Sequence, residues 1–458
     1  MSKKKKKGKK LTAGQRLALR FGAAKQSALT AAGSVPAKLK TGLPQAAEKL
    51  YRAADAFVRL KRSAALIAVV MLGLMLLTYS NTIYNYLFGN FPYYTTRMIQ
   101  FYLIDFNVGF VSRALVGHII SLFTDKVSFG LIIRLTQIVV WLSLIAQAVL
   151  AALVFKKAWL RKSPLICVLC AAFVLSHLTV MPNVINFGIL DTYNLLLAIL
   201  YIYVSDTKAA YVLTPLICFT GIILHYEFVI SYLAVILSIE LYYIMKNKKG
   251  RKLRAAVLCF TVLGSAALAV YLMFFSKINV KMTADELYRY MRAKYTDFYY
   301  TDLFEDYFNY YIYGDYQGVN YSDPADFVRF LVNYALERIN YKSLLLYFIN
   351  VAPAFGLIEY FWAYIIKRTE KRMRLPYLVF MLQPLVLVAA LIVSTDTSRW
   401  AGANWFSNFM LLFTVLHNDE PLLTQAAEKA TDKRWKKAAL AASLLAAYAA
   451  GTYIYRYK

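Results

Sequence analysis

Apolar residues in this chain are gathered into uninterrupted blocks that are separated by short polar connections. Each block is about 17 to 25 residues long, and roughly 20 apolar residues let a helix cross a hydrocarbon core of about 30 Å. The blocks predict about eleven membrane-spanning helices, at about 63–79, 129–155, 164–181, 190–204, 209–224, 228–245, 255–275, 343–366, 376–393, 401–416 and 438–455. The pattern therefore predicts an all-α, polytopic transmembrane helical bundle.

The connections between these blocks differ in length and charge. Two are long, at about 80–128 and 276–342, and structureless loops of that length are uncommon unless they are functional. Four short connections are rich in Lys and Arg: 156–162, 246–254, 367–374 and 433–437. Basic residues are retained on the cytoplasmic side, so their positions predict a cytoplasmic N-terminus and place both long loops outside.

The composition agrees with a membrane protein. Of the 458 residues 60% are hydrophobic and 17% are charged, whereas soluble domains carry roughly a quarter of charged residues. The net charge is +28, and about half of it precedes residue 63. Residues 1–62 are therefore predicted to form a basic cytoplasmic tail that ends in an interfacial helix at about 44–62. An anionic membrane leaflet is favoured over nucleic acid as the partner of this tail.

Ionisable residues at the ends of the apolar blocks are informative, because a charge at membrane depth is costly. Eight of them are predicted to lie on the outer side: Asp105, Arg113, His118, Asp191, His225, Glu227, Asp396 and Arg399. Their placement on one side predicts a single extracytoplasmic polar site that is enclosed by helix ends.

The first long loop carries a four-residue repeat. Asp105, Gly109, Arg113 and Gly117 would lie on one face of a helix, with two charges and two glycines that allow close packing. An interfacial helix that Asp105 caps and from which Arg113 extends to the surface is as well supported as a catalytic role. In the catalytic interpretation, apolar neighbours raise the pKa of Asp105 and suit it to act as a general base.

Two further pairs leave alternatives open. Asp396 and Arg399 are three residues apart, which suits an ion pair within one helix as well as a phosphate clamp. His225 and Glu227 are two apart, which suits a turn better than a metal motif, and a buried hydrogen-bonded pair is favoured over acid catalysis. The tyrosine-rich segment 288–321 suits carbohydrate stacking or a position at the lipid headgroups. No glycine-rich phosphate loop is present, which argues against a cytosolic nucleotide-driven enzyme.

The layout resembles that of the GT-C superfamily of membrane glycosyltransferases. The shared features are a cytoplasmic N-terminus, a first long outside loop that contains an acid, and a second between spans seven and eight. The strings GFVSRALVG, NFGILDTYN, LHYEF and TDTSRW are also similar to strings in bacterial O-antigen polymerase-like and ligase-like membrane proteins. The resemblance covers about residues 63–416, the predicted transmembrane catalytic module, and leaves 417–458 as a cytoplasmic linker and a last transmembrane helix.

The resemblance implies a glycosyltransferase of the bacterial cell membrane that serves polysaccharide biosynthesis in the cell envelope. It would move a sugar from a polyprenyl-phosphate-type carrier to a glycan, lipid or protein acceptor on the extracytoplasmic side. Asp105 would take the acceptor proton, and Arg113 and Arg399 would hold the carrier phosphate. The other predicted site residues would bind and orient the substrate: His118, Asp191, His225, Glu227 and Asp396.

Two questions stay open after this comparison. Members of the superfamily often carry paired acids in the first loop, and this chain has Asp105 alone among the matching positions, so a divalent cation is possible and its ligands are unknown. The main alternative function is a transporter or flippase of a lipid-linked or anionic substrate, in which the same charges line a path. A non-catalytic membrane scaffold is the third.

Overall fold

The computed structural model describes residues 48–49, 51–87, 99–185, 190–276, 282–297, 315–316, 319–320, 325–326, 329, 333, 341–386, 397–418 and 420–444. Within these ranges the chain is almost entirely helical, as the apolar pattern predicts. Several predictions fall outside them: the basic tail up to residue 47, most of the tyrosine-rich part of the second long loop, Asp396, and the final span after residue 444.

The helices are α1 (51–59), α2 (Ser63–Thr78), α3 (Ser80–Leu87), α4 (Gln100–Leu103), α5 (Leu115–Ser121), α6 (Phe129–Leu160), α7 (Pro164–Leu175), α8 (His177–Ile185), α9 (Asp191–Val204), α10 (Ala210–Leu224), α11 (Ala234–Lys246), α12 (Arg251–Val270), α13 (Ala284–Lys294), α14 (Tyr341–Arg368), α15 (Lys371–Met381), α16 (Thr397–His417), α17 (Pro421–Ala430) and α18 (434–444). Two π-helical turns, Val229–Leu233 and Tyr271–Phe275, adjoin α11 and α12. Strands β1 (Asp315–Tyr316) and β2 (Val319–Asn320) form a short antiparallel pair.

The chain divides into two contact units, Met1–Leu60 and Lys61–Lys458. In the first, α1 lies within the predicted interfacial segment. Its exposed side chains form two ion pairs at i,i+4 spacing, Arg52 with Glu48 and Arg59 with Asp55. Such pairs contribute a few tenths of a kcal/mol each to a solvated helix.

Three described helices are long and apolar enough to cross a membrane: Phe129–Leu160, Val229–Lys246 and Arg251–Phe275. The pair α7 and α8 passes the same test together, with a bend of 58° between them. Shorter apolar helices are α2, α9 and α10. The described residues therefore agree with a membrane-associated helical protein, and the larger number of spans stays a prediction.

Local sequence explains where α6 begins and ends. The Ser128 hydroxyl accepts a hydrogen bond from the Leu131 amide, which caps the first turn. After the helix ends, Lys162 has a φ of 54° and reverses the chain, and Pro164 then opens α7 at a position where its missing N–H costs nothing. The 32 residues of α6 span about 48 Å at 1.5 Å per residue, so the helix extends beyond a hydrocarbon core.

The prediction that Asp105, Gly109, Arg113 and Gly117 lie on one face of a helix is wrong. The chain between α4 and α5 turns instead of continuing as a helix, with φ values of 139° at Gly109 and 71° at Arg113. The Asp105 carboxylate accepts a hydrogen bond from the Asn107 amide at 2.8 Å, a local turn that competes with helix formation. Gly117 does allow close packing, because a Cβ there would lie 2.0 Å from the Ile104 carbonyl oxygen.

The two long loops pack together around α13. Thr283 and Glu286 form a capping box that begins this helix. Its C-terminal end continues into a parallel bridge between Val127 and Tyr295, in which the Val127 amide donates to the Lys294 carbonyl oxygen at 2.8 Å. The bridge therefore holds the beginning of the second loop against the end of the first.

At the C-terminal end of α9, a buried ion pair joins four helices. Glu240 of α11 accepts hydrogen bonds from Arg254 of α12 at 2.6 and 3.1 Å, and also from Tyr201 at 2.9 Å and Thr214 at 3.0 Å. Arg254 donates in addition to the Ser205 carbonyl oxygen. Both charges are thus paired and hydrogen-bonded, as burial requires.

Candidate functional site

Five of the eight predicted site residues come together from four separate segments of the chain. Arg113 lies in the first long loop, Asp191 begins α9, His225 and Glu227 form the turn after α10, and Arg399 lies in the first turns of α16. His225 and Glu227 lie in a turn, as their two-residue spacing predicts. These residues form what we call the charged cluster.

Arg399 is the centre of the charged cluster. Its guanidinium binds Asp191 through two nitrogens, with Nε–Oδ2 at 2.5 Å and Nη2–Oδ1 at 2.8 Å. Nη2 also donates to Oε2 of Glu227 at 2.8 Å. The three side chains are 15%, 26% and 18% exposed, so these are mostly desolvated, charge-assisted contacts. One planar group therefore ties a helix start to a turn that follows another helix.

His225 is buried, and its two ring nitrogens lie next to Arg113 and Glu227. Its Nε2 lies 2.6 Å from Nη2 of Arg113. Its Nδ1 lies 3.1 Å from the Glu227 amide nitrogen and 3.5 Å from Oε2 of Glu227. Burial and the positive charges of Arg113 and Arg399 hold the pKa of His225 well below its ordinary value, so the ring is neutral.

Arg113 is held in place by its backbone and by aromatic rings. Its φ of 71° lies in the left-handed region that side chains rarely adopt, and such strain is concentrated at functional sites. The Arg113 amide donates to the Ile223 carbonyl oxygen at 3.1 Å, near the end of α10. Its guanidinium lies 5.1 Å from the Phe101 ring and 5.9 Å from the Tyr226 ring. The chain thus holds the arginine beside His225.

Asp191, His225 and Glu227 have the residue types of a metal site. One ligand atom from each lies within 4.8 Å of the others. Arg399 nevertheless binds both carboxylates, and Nη2 of Arg113 lies 2.6 Å from Nε2 of His225. A cation bound here would lie beside two guanidinium charges that repel it, so these residues fit a metal poorly. The arginines supply the positive charge that a cation would otherwise provide.

A cavity opens beside the charged cluster. Asp191, Glu227 and Arg399 line one part of it. The remaining lining combines aromatic and polar side chains with aliphatic ones: Gln147, Leu178, Thr179, Pro182, Asn183, Thr192, Asn194, Leu195, Ser231, Tyr232, Trp400, Gly402, Ala403 and Phe406. Aromatic faces and hydrogen-bonding groups of this kind suit a sugar ring.

Asp105 does not line this cavity, and it forms a separate cluster with the second long loop. Its fully buried carboxylate accepts hydrogen bonds from Tyr290 at 2.8 Å, from Asn107, and from Lys294. Burial raises the pKa of Asp105, but the hydrogen bonds from Lys294 and Tyr290 outweigh burial and leave it below the ordinary value. The expected rise in pKa is therefore wrong, whereas the role of Asp105 as the base stays a prediction.

The remaining two predicted site residues have different outcomes. His118 lies in α5, where its ring packs against Phe106 with the centroids 4.7 Å apart, and its described contacts do not connect it with the charged cluster. Asp396 lies outside the described residues, so its pairing with Arg399 stays a prediction.

Several residues of the site were not predicted from the sequence. Gln147 and Asn194 are polar residues inside apolar blocks, a signal that marks them as candidates at membrane depth. Tyr290 and Lys294 carry no such signal, because they lie 185 and 189 residues from the Asp105 carboxylate that they contact.

No protein-family model, curated protein or solved structure matches this chain.

Proposed function

We propose that this chain is a polytopic membrane glycosyltransferase that moves a sugar from a polyprenyl-phosphate-type carrier to a glycan, lipid or protein acceptor. The observation that carries the proposal is the charged cluster at the wall of a cavity with aromatic and amide side chains. Arg399 supplies positive charge for a phosphate leaving group, and the carboxylates of Asp191 and Glu227 also line the cavity.

In the proposed reaction an acceptor hydroxyl oxygen attacks the anomeric carbon of the donor sugar. A new C–O bond forms, while the bond from that carbon to the carrier phosphate oxygen breaks and its electron pair leaves on the phosphate. The acceptor proton goes to Glu227, which lines the cavity. Arg399, which lines the cavity, offsets the charge that develops on the phosphate, whereas Arg113 contacts His225 and is not part of the cavity lining.

The choice of Glu227 over Asp105 as the base depends on their contacts. Both oxygens of Asp191 bind Arg399, which suits Asp191 to orient the guanidinium. Asp105 is fully buried and accepts charge-assisted hydrogen bonds from Lys294. A base must reach the proton that it removes, and Glu227 lies at the cavity wall. Asp105 then acts as a positioning residue for the two loops.

The proposal includes the architecture expected from the sequence: about eleven spans, a GT-C-like arrangement and a cytoplasmic N-terminus in a bacterial cell membrane. The ends of α9 support one part of it. The first residue, Asp191, belongs to the charged cluster, while the far end adjoins Arg254 and a basic connection. Basic connections favour the cytoplasm, so the charged cluster faces outward in this proposal.

The test is to measure release of polyprenyl phosphate or diphosphate from a panel of polyprenyl-linked sugars by the purified chain in lipid vesicles. Glu227→Gln is expected to lower release by about 100-fold or more, the usual contribution of a general base. Asp105→Asn is compared in parallel. Glu370→Gln is the matched control, because Glu370 is exposed and pairs with Arg372 outside the site, and it is expected to leave release unchanged.

The outcomes separate the assignments. Full release by Glu227→Gln, with release lost in a folded Asp105→Asn variant, would return the role of base to Asp105. No release from any donor by the wild-type protein would contradict the transferase itself.

A transporter is the second candidate, and one observation favours it. The helix pair α7 and α8 is bent by 58°, and Pro182 of α8 lines the cavity. Broken helices beside a binding site are typical of transporters. Movement of an intact lipid-linked sugar across the vesicle membrane, without carrier release, would favour this candidate over the transferase.

A further inference from the structure

A second crevice lies at the end of α9 that is opposite to Asp191. It is lined by residues of α6, α9, α11 and α16 and is partly open. Its lining is mostly apolar, with polar groups at the helix ends: Leu150, Leu153, Val154, Lys157, Ile202, Tyr203, Ser205, Asp206, Tyr243, Phe413, Thr414, Leu416 and His417. The crevice shares no residue with the cavity of the charged cluster.

Both the interior of the crevice and its side between α6 and α9 are apolar. Val154, Phe413 and Leu416 are buried in its wall, whereas Leu153 is 44% and Tyr203 39% exposed on neighbouring helices. In a membrane these two side chains would contact lipid, because both are exposed positions on apolar helices. An acyl chain entering between α6 and α9 would therefore meet apolar surface throughout.

The polar end of the crevice lies where α6, α9 and α16 finish. Nε2 of His417 lies 2.9 Å from Oδ2 of Asp206, and Nζ of Lys157 donates to the His417 carbonyl oxygen. Lys246 approaches from α11 and donates to the Asn418 carbonyl oxygen at 2.8 Å. The two lysines thus offset the partial negative charge at the end of α16.

The surrounding connections make this end strongly basic. Segment 156–162, which includes Lys157, contains four basic residues and no acid. The crevice lining itself contains one acid, Asp206. Basic pockets between membrane helices at such an end recognise anionic lipid headgroups.

We propose that this crevice binds an anionic phospholipid, with an acyl chain between α6 and α9 and the headgroup phosphate at Lys157. The apolar interior, the lateral opening and the basic end match the three parts of such a lipid. This site is independent of the charged cluster, so it does not depend on the proposed transferase activity.

The test is lipid retention by the purified full-length chain, measured by native mass spectrometry with dioleoylphosphatidylglycerol and dioleoylphosphatidylcholine at equal concentration. The wild-type chain is expected to retain the anionic lipid at least about fivefold better, the preference that one lysine near an anionic headgroup provides. Lys157→Gln is expected to remove that preference. Inorganic phosphate at millimolar concentration is expected not to displace the lipid, because it lacks the acyl chain.

Two matched controls separate the crevice from general basic charge. Lys246→Gln also removes a lysine that donates to a helix-end carbonyl, but Lys246 does not line the crevice, and retention is expected to change less than twofold. Leu153→Trp fills the lateral opening and is expected to reduce retention at least fivefold. Leu142→Trp changes a similarly exposed position of α6 that does not line the crevice, and retention is expected to stay unchanged.

Three results would overturn the proposal. They are equal retention of the two lipids by the wild-type chain, equal losses in Lys157→Gln and Lys246→Gln, and displacement of the lipid by inorganic phosphate alone. Unchanged retention in Leu153→Trp, with the protein still monodisperse, would show that the acyl chain lies elsewhere and would overturn it as well.

Discussion

Arg399 determines most of the electrostatics of the charged cluster. A carboxylate at membrane depth is costly, and two close together repel each other. The planar guanidinium binds Asp191 through two nitrogens and Glu227 through one of them, so a single positive charge stabilises both. Arg113 and neutral His225 extend the same network. We therefore predict that guanidinium geometry, as well as charge, is needed at position 399 for carrier release.

Replacing Arg399 by lysine tests that requirement. Arg399→Lys keeps the charge but loses the planar fork, so we expect carrier release to fall by about 100-fold. The measurement is the carrier-release assay in vesicles. Arg368→Lys is the matched control, because Arg368 is exposed and packs against Tyr364, and its activity is expected to equal that of the wild type. Equal activity of the two variants would contradict a role for guanidinium geometry.

Asp105 is expected to stabilise the packing of the two loops. Asp105→Asn leaves Lys294 without its buried carboxylate partner, at a cost of about 3 kcal/mol. Hydrogen exchange of α13 should then be roughly 100-fold faster at pH 7. Asp432→Asn is the control, because Asp432 also pairs with lysines but lies outside the two loops. Unchanged exchange in α13 would contradict the stabilising role.

The lowered pKa of Asp105 gives this stabilisation a definite pH dependence. The unfolded carboxyl has a pKa of 3.8, and the folded one lies below that value. The contribution is therefore complete above pH 3.8 and is lost as the pH falls through the lower folded-state pKa. We expect the wild-type minus Asp105→Asn difference in melting temperature to be constant from pH 7 to pH 5 and to shrink below about pH 4. A difference that grows on acidification would contradict this sign.

Among the local elements, the loop before α5 depends on one close backbone contact. A Cβ at Gly117 would lie 2.0 Å from the Ile104 carbonyl oxygen, which is backbone and cannot rotate away. This contact holds α5 against the backbone that immediately precedes Asp105. The same segment ends at Arg113, whose amide is bonded to the end of α10. Backbone contacts therefore position the loop at both ends, independently of the side chains of the charged cluster.

Gly117→Ala is expected to destabilise the protein by about 3 kcal/mol, at the upper end of the usual range for overpacking. The measurement is thermal unfolding in detergent. Gly356→Ala is the control, because nothing lies within 4 Å of a Cβ there, and an effect within about 1 kcal/mol is expected. Equal melting temperatures for the two variants would show that the Ile104 contact yields without cost.

Several elements could be predicted from local sequence. The apolar blocks predict helices in the described part of the chain, and helices α2, α7, α9 and α10 lie within one or two residues of the predicted starts. The helix through Asp105 was wrongly predicted, because residue spacing alone does not register a carboxylate that bonds its own backbone or a glycine with positive φ. The contact of α13 with the first loop could not be predicted, since it joins segments far apart in the sequence.

Across the second contact unit, α9 connects two polar networks. It begins with Asp191 in the charged cluster, and its far end adjoins the buried pair of Glu240 and Arg254. That pair is bonded to Tyr201, Thr214 and Ser205, so it joins α9, α10, α11 and α12. Removing one partner leaves a buried charge uncompensated, whereas removing both does not.

A double-mutant cycle tests this pair. Glu240→Gln and Arg254→Met are each expected to cost about 3–5 kcal/mol in unfolding free energy, and the double variant less than their sum. The exposed pair Glu370 and Arg372 is the control cycle, with an expected coupling below about 1 kcal/mol. If the unfolding free energies lost in the two single variants simply add up in the double variant, the result would contradict the role of the buried pair in joining the four helices.

By itself, the sequence determined the helical class and the presence of apolar helices compatible with membrane association, and it predicted the five residues that meet in the charged cluster. Each follows from a cost that is local to the residue, such as an apolar block in water or a charge in hydrocarbon. The partners were decided only by the tertiary structure: Arg399 binds Asp191 and Glu227 from distant segments, and Asp105 binds Lys294 instead of lining the cavity. Local composition can show that a buried charge needs a partner, but which partner it meets depends on how the helices pack.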